Sequence, residues 1–77
     1  MFDVIRERYM EEVEDFRTYR HLSKEASDMG NTELAFWLSK ISRDEYTHLR
    51  WLYHHLKEHG MNTPECDKLW EKVNEEF

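Results

Sequence analysis

The sequence predicts an all-α protein made of a long antiparallel helical hairpin and a short third helix. Apolar residues recur at steps of three and four through both halves of the chain, which is the spacing of one helix face. Gly30 and Gly60 stand where this periodicity breaks, and glycine is the usual residue just beyond a helix end. We therefore expect helices over about 3–29, 32–59 and 64–77, in a single domain of 77 residues.

Residues that commonly cap helices stand at the predicted starts. Asp3 is a candidate N-cap for the first helix, and Asn31 or Thr32 can cap the second. Thr63 followed by Pro64 has the arrangement of an N-cap and a first helical residue. A turn of two or three residues then joins the first two helices, so they should run antiparallel. We expect the third helix to dock through its apolar side, which comprises Leu69, Trp70, Val73 and Phe77.

The composition of the chain limits the kinds of molecule that it is expected to bind and the compartment in which it is expected to lie. The formal net charge is −6 and 36% of residues are charged, which argues against a nucleic-acid or anionic-membrane surface. No apolar run approaches the length of a membrane span, and no secretory leader is evident. Aromatic residues make up 14% of the chain, enough to favour a folded helical protein that relies on partner helices. Cys66 is the one cysteine, so we expect no internal disulfide and a reducing cytosol.

Polar residues interrupt both predicted core stripes. Glu45 and His48 stand three residues apart, so their side chains project from one helix face. Glu12 occupies an equivalent position in the first helix. A charged group in a core position costs on the order of several kcal/mol without a partner, and a metal ion is the first candidate partner. The stripes, all expected to be buried, are Ile5, Tyr9, Glu12, Phe16, Tyr19, Ser23 and Ala26, then Leu34, Leu38, Ile41, Glu45, His48, Leu52 and Leu56.

The hairpin should bring the polar residues of the two stripes together. With the turn at Gly30, residues whose numbers add up to about 57–60 lie opposite each other, so Glu12 faces Glu45 and His48. Two such hairpins about a two-fold axis supply four carboxylates and two imidazoles, a ligand set for two metal ions. Carboxylates with one imidazole per metal favour iron or manganese. We predict a homodimer with a di-iron or di-manganese site between subunits. The alternative is a metal-free helical oligomerisation or interaction module.

From Glu12 to His48, about half of its length, the chain resembles one half of a rubrerythrin. The residues at that family's spacing are Glu12, Tyr19, Ala26, Gly30, Glu45 and His48. Glu11-Glu12-Val13-Glu14 and Arg43-Asp44-Glu45-x-x-His48 are also similar to encapsulated ferritins, which are single hairpins that build a di-iron site across a dimer. The resemblance implies a ferritin-like four-helix bundle that binds iron through Glu12, Glu45 and His48.

The resemblance also suggests which activity to expect. A rubredoxin-like pair of Cys-x-x-Cys motifs is missing, and Asp15 stands where one half of a rubrerythrin carries an additional Glu. We therefore expect Fe(II) oxidation, a ferroxidase activity with a role in iron handling or oxidative stress, rather than rubrerythrin-type peroxidase activity. The expected location is the cytoplasm, or the interior of a protein compartment as for encapsulated ferritins.

Several further residues have two interpretations. Tyr19 is either a core aromatic or a catalytic residue whose hydroxyl hydrogen-bonds a ligand carboxylate. Glu11 and Glu14 are either part of a solvated acidic stripe or, by resemblance to encapsulated ferritins, a weak metal uptake site. His55 and His59 are either cations at a helix C-terminus or ligands. The sequence assigns no role to His54 or Cys66.

Overall fold

The computed structural model describes residues 2–77, and their side chains from residue 4 onward. This part of the chain forms three α-helices, α1 Phe2–Asp28, α2 Thr32–Glu58 and α3 Pro64–Glu76, and no strand. Every helix end lies within one residue of the predicted position. The molecule measures 44 × 19 × 14 Å, because α1 and α2 each have 27 residues and run side by side. Within the described residues, no helix is long and apolar enough to cross a membrane.

Both glycines end helices in the left-handed conformation. Gly30 has φ +80° and Gly60 has φ +66°, which side chains other than glycine rarely adopt. The chain then turns back: the amide of Asn31 donates to the carbonyl of Ala26 at 2.9 Å, and that of Met61 to Leu56 at 2.8 Å. These bonds satisfy carbonyls that have no partner within the helix.

The next two helices begin at the predicted caps. The side chain of Asn31, rather than that of Thr32, accepts from the amide of Leu34 at 3.1 Å. Thr63 accepts from the amide of Cys66 at 3.2 Å, with proline at the helix start. The predicted N-cap at Asp3 is wrong, because the α1 backbone is already helical at Phe2. The Asp3 side chain lies outside the described residues.

Helix α3 packs across one face of the hairpin, as its apolar side predicts. The Tyr9 hydroxyl donates to the Cys66 carbonyl at 3.0 Å, and the Tyr53 hydroxyl donates to Asp67 Oδ1 at 2.7 Å. At the other end of α3, Arg17 Nη2 lies 3.2 Å from Glu76 Oε1. Cys66 is a free thiol, fully buried in the core. The core comprises Tyr9, Val13, Phe16, Leu49, Leu52, Tyr53, Leu56, Cys66 and Val73.

The side of α2 opposite α3 has no cover in the single chain. We call it the open face, and it comprises Leu34, Trp37, Ile41, His48 and Trp51. Its apolar members are 38–64% exposed, and they lie about half a turn round α2 from Tyr46 and Tyr53, which pack on α3. The predicted burial of Leu34, Ile41 and His48 is therefore wrong for the single chain, since α3 docks on the other side.

The bond between Tyr53 and Asp67 predicts a loss of stability in alkali. The hydrogen bond to Asp67, with burial, raises the pKa of Tyr53 to about 12. The unfolded chain holds that proton less tightly, with a tyrosine pKa of about 10. The stabilisation should therefore be complete below about pH 10 and be lost as the pH rises towards 12. Melting temperatures across this range should fall more steeply for the wild type than for Tyr53→Phe.

The same hydrogen bond also predicts a loss of stability in acid, because it lowers the pKa of its acceptor. Hydrogen bonds from Tyr53 and Asn62 lower the pKa of Asp67. Its contribution to stability is therefore present above the ordinary aspartate pKa of about 3.9 and is lost as the pH falls through the lowered value. An identical decline of wild type and Tyr53→Phe at both extremes of pH would contradict the assignment.

Candidate metal centre

The three predicted ligands converge across the hairpin. Glu12 comes from α1, and Glu45 and His48 come from successive turns of α2. One ligand atom from each lies within 4.8 Å of the other two, and His48 Nδ1 is 3.8 Å from Glu12 Oε2. Among the described residues, this is the one group of three or more such side chains placed to hold a metal ion. The antiparallel packing of α1 and α2 thus brings together the residues that the predicted hairpin register places opposite each other.

The carboxylates of this cluster have unmet hydrogen-bonding capacity. The Glu12 side chain is only 4% exposed. Within the described part of the chain, neither Glu12 Oε2 nor Glu45 Oε2 has a hydrogen-bond partner, although both atoms are buried. Leaving such an oxygen without a partner costs about 1–3 kcal/mol or more. A cation between the oxygens would satisfy both, and two carboxylates with one imidazole suit iron or manganese.

Arg8 is a member of the cluster that sequence reasoning missed. Its Nη2 lies 2.8 Å from Glu12 Oε1, and its Nη1 lies 3.5 Å from the exposed carboxylate of Glu11. The spacing of four residues between Arg8 and Glu12 was the available signal, because such pairs meet on one helix face. This guanidinium partly neutralises the buried carboxylate, while the other Glu12 oxygen faces His48.

Removing the Arg8 charge should destabilise the metal-free protein. Arg8→Met leaves Glu12 buried without its cation, so the free energy of unfolding should fall by about 1 kcal/mol; exposure of the guanidinium limits the effect. Mn(II) should then stabilise Arg8→Met more than wild type, since the metal replaces the missing charge. Urea unfolding with and without Mn(II) measures both effects. Arg50→Met, at an exposed arginine of α2, is the matched control, and equal losses in the two variants would contradict this role.

The cluster is open towards the side of the hairpin that α3 does not cover. The His48 side chain is 60% exposed. A pocket of about 410 Å³ adjoins it. The pocket is lined by Arg8, Glu12, Thr47, His48, Trp51 and Leu52. The three donor side chains therefore leave part of the coordination sphere of a metal ion open to a further donor from this side.

The other predicted site residues lie outside the cluster. Tyr19 is half-buried, and its hydroxyl makes no hydrogen bond within the described residues. Seven residues along α1 place it about 10.5 Å from Glu12. Glu11 is 65% exposed. Both Glu11 and Glu14 line a groove beside α3, together with Glu65 and Leu69. The structure therefore brings neither glutamate into the group formed by Glu12, Glu45 and His48.

A helical hairpin with a glutamate on one helix and Glu-x-x-His on the next has the ligand pattern of the carboxylate metal proteins built on helix bundles. Comparison with family models identifies which family within this class the chain belongs to. The rubrerythrin model matches residues 3–76, so the chain belongs to the rubrerythrin family. This confirms the resemblance and, with it, an iron-binding, ferritin-like family. Neither the curated proteins nor the solved structures gave a match.

Proposed function

We propose that two chains join through their open faces into a four-helix bundle that binds a di-iron or di-manganese centre and oxidises Fe(II). The observation that carries the proposal is the convergence of Glu12, Glu45 and His48 with two buried carboxylate oxygens that lack hydrogen bonds. A divalent cation is the partner that satisfies this arrangement most simply. Membership of the rubrerythrin family supports the same conclusion.

The dimer follows from what a single chain leaves incomplete. One hairpin provides three ligand side chains, which is half of the set used for a two-metal site in a helix bundle. The exposed His48 lies among the apolar side chains of the open face. A two-fold axis near His48 would place each ligand set opposite its copy and cover Ile41 and Trp51 in the same contact. Burial of the apolar side chains would then favour the association that completes the site.

The side chains of the cluster have distinct roles in this proposal. Two Fe(II) ions held by Glu12, Glu45 and His48 of both chains would supply two electrons to dioxygen or peroxide and become Fe(III). The carboxylates of Glu12 and Glu45 supply negative charge, which favours the more highly charged Fe(III). His48 completes the set as a neutral donor. Arg8 balances the charge of Glu12 when no metal is bound.

Aerobic addition of Fe(II) tests the proposal. We expect an Fe(III)-carboxylate absorbance that saturates at two irons per dimer, and light scattering at micromolar protein should give at least the mass of a dimer. A folded monomer would contradict the shared site. A dimer without any iron response would instead favour the metal-free oligomerisation module, for which the open face is the supporting observation.

A further inference from the structure

His55 and His59 form a second histidine cluster, at the C-terminal end of α2. They stand four residues apart, so both lie on one helix face. Their ring centroids are 4.6 Å apart and their planes are inclined by 55°. The ring of His55 also stacks on that of Trp51, with centroids 5.1 Å apart and planes inclined by 11°. Packing against Trp51 therefore holds one imidazole in place beside the other.

The separation of the two rings matches chelation of one ion. Zinc binds imidazole nitrogen at about 2.0–2.1 Å, so two imidazoles at 90–109° around one ion have centroids about 4.5–5.2 Å apart. The observed separation of 4.6 Å lies at the lower end of this range, which corresponds to an angle of about 90° at the ion rather than the tetrahedral angle usual for zinc. The same spacing of four residues places the two histidines of helical zinc sites on one face.

The end of the helix dipole also favours a cation. The cluster lies in the last turns of α2, where the helix dipole presents its negative end. Lys57 is the nearest basic residue in sequence, but its Nζ lies over the ring of Tyr53 at 5.9 Å. Tyr53 in turn packs on α3, so this ammonium is directed towards the α3 side of the helix.

We propose that His55 and His59 bind Zn²⁺, or a divalent ion of similar softness such as Cu²⁺ or Ni²⁺, with water in the remaining positions. Imidazole nitrogen donors favour such ions over Mn²⁺. The site is separate from the candidate metal centre, because His55 follows His48 by seven residues, about 10.5 Å along α2. It does not depend on the proposed function, since it uses none of the same ligands.

Calorimetric titration of Zn²⁺ into the metal-free protein tests the site. The titration uses the wild type and a His48→Ala background, in which the candidate centre has lost a predicted ligand. Removing a residue that only hydrogen-bonds a metal ligand weakens metal binding about 10-fold to 100-fold. His55→Ala and His59→Ala each remove a proposed ligand itself, so each should weaken Zn²⁺ binding by at least that much. His54→Ala is the matched control and should leave it unchanged, because the His54 ring contacts Tyr53 and Trp70 instead.

Trp51 provides an independent readout. In the His48→Ala background, stacking on His55 should make the fluorescence of Trp51 fall when Cu²⁺ binds, and His55→Ala and His59→Ala should each remove this response. Equal Zn²⁺ affinity in the wild type, His55→Ala and His59→Ala would overturn the proposal and leave the pair as histidines at a helix end. An equal loss in His54→Ala would also overturn it, since binding would then be spread over the histidine-rich surface.

Discussion

Replacing His48 by alanine should abolish the binding of Mn(II) and Fe(II) while leaving the fold intact. The His48 side chain is 60% exposed, and its recorded contact is the 3.8 Å approach to Glu12. Exposed substitutions away from special features usually change stability by no more than about 0.5 kcal/mol. In a symmetric dimer, however, the change removes two ligands at once. Metal stoichiometry, from electron paramagnetic resonance of Mn(II) or absorbance of iron, should therefore fall to zero with an unchanged circular dichroism spectrum.

Variants at the neighbouring carboxylates sharpen this test. Glu45→Ala should have the same effect as His48→Ala, because it also removes two ligands from the dimer. Glu11→Ala and Glu14→Ala remove equal charge from exposed positions nearby and should keep the stoichiometry, at most slowing uptake. Normal iron binding by Glu45→Ala would refute the ligand assignment.

Replacing Glu45 by glutamine should stabilise the metal-free protein and weaken its response to metal. Glu45 and Glu12 place like charges within 4.8 Å of each other, and each has a buried oxygen without a hydrogen bond among the described residues. Glutamine removes one charge at nearly constant volume and adds an N–H that can donate to Glu12 Oε2. We expect a gain of about 1 kcal/mol in the free energy of unfolding of the metal-free protein.

The second quantity to compare between the wild type and Glu45→Gln is the stabilisation that bound metal gives each protein. Binding to the folded state alone should stabilise the wild type by about 2.7 kcal/mol at a free metal concentration one hundred times the dissociation constant. The increment should fall below about 1 kcal/mol in Glu45→Gln, which has lost an anionic ligand in each chain. Anaerobic melts of both proteins, with and without Mn(II), give all four values, and Glu11→Gln is the control for charge. If the increments prove equal, the carboxylates are not the binding site and the oligomerisation module becomes the better interpretation.

Local rules explain why so much of the fold could be predicted. Gly30 and Gly60 allow the left-handed turn, and Asn31 and Thr63 provide the caps, so helix ends follow from short-range chemistry. The turn at Gly30 then sets the register of two long antiparallel helices. That register by itself places Glu12 opposite Glu45 and His48.

The sequence by itself therefore determined the three helices and the pairing of the candidate metal ligands across the hairpin. Only the tertiary structure decided which side of α2 is buried, because α2 carries apolar residues on more than one face and helical periodicity does not choose between them. Tyr53 packs against α3 in the core, whereas Leu34, Ile41 and His48 lie on the side that α3 leaves exposed. The tertiary structure also shows that Arg8 contacts two carboxylates, at 2.8 Å from the buried Glu12 and 3.5 Å from the exposed Glu11. The choice of the buried side of α2 rests on contacts between helices, which short-range rules do not specify.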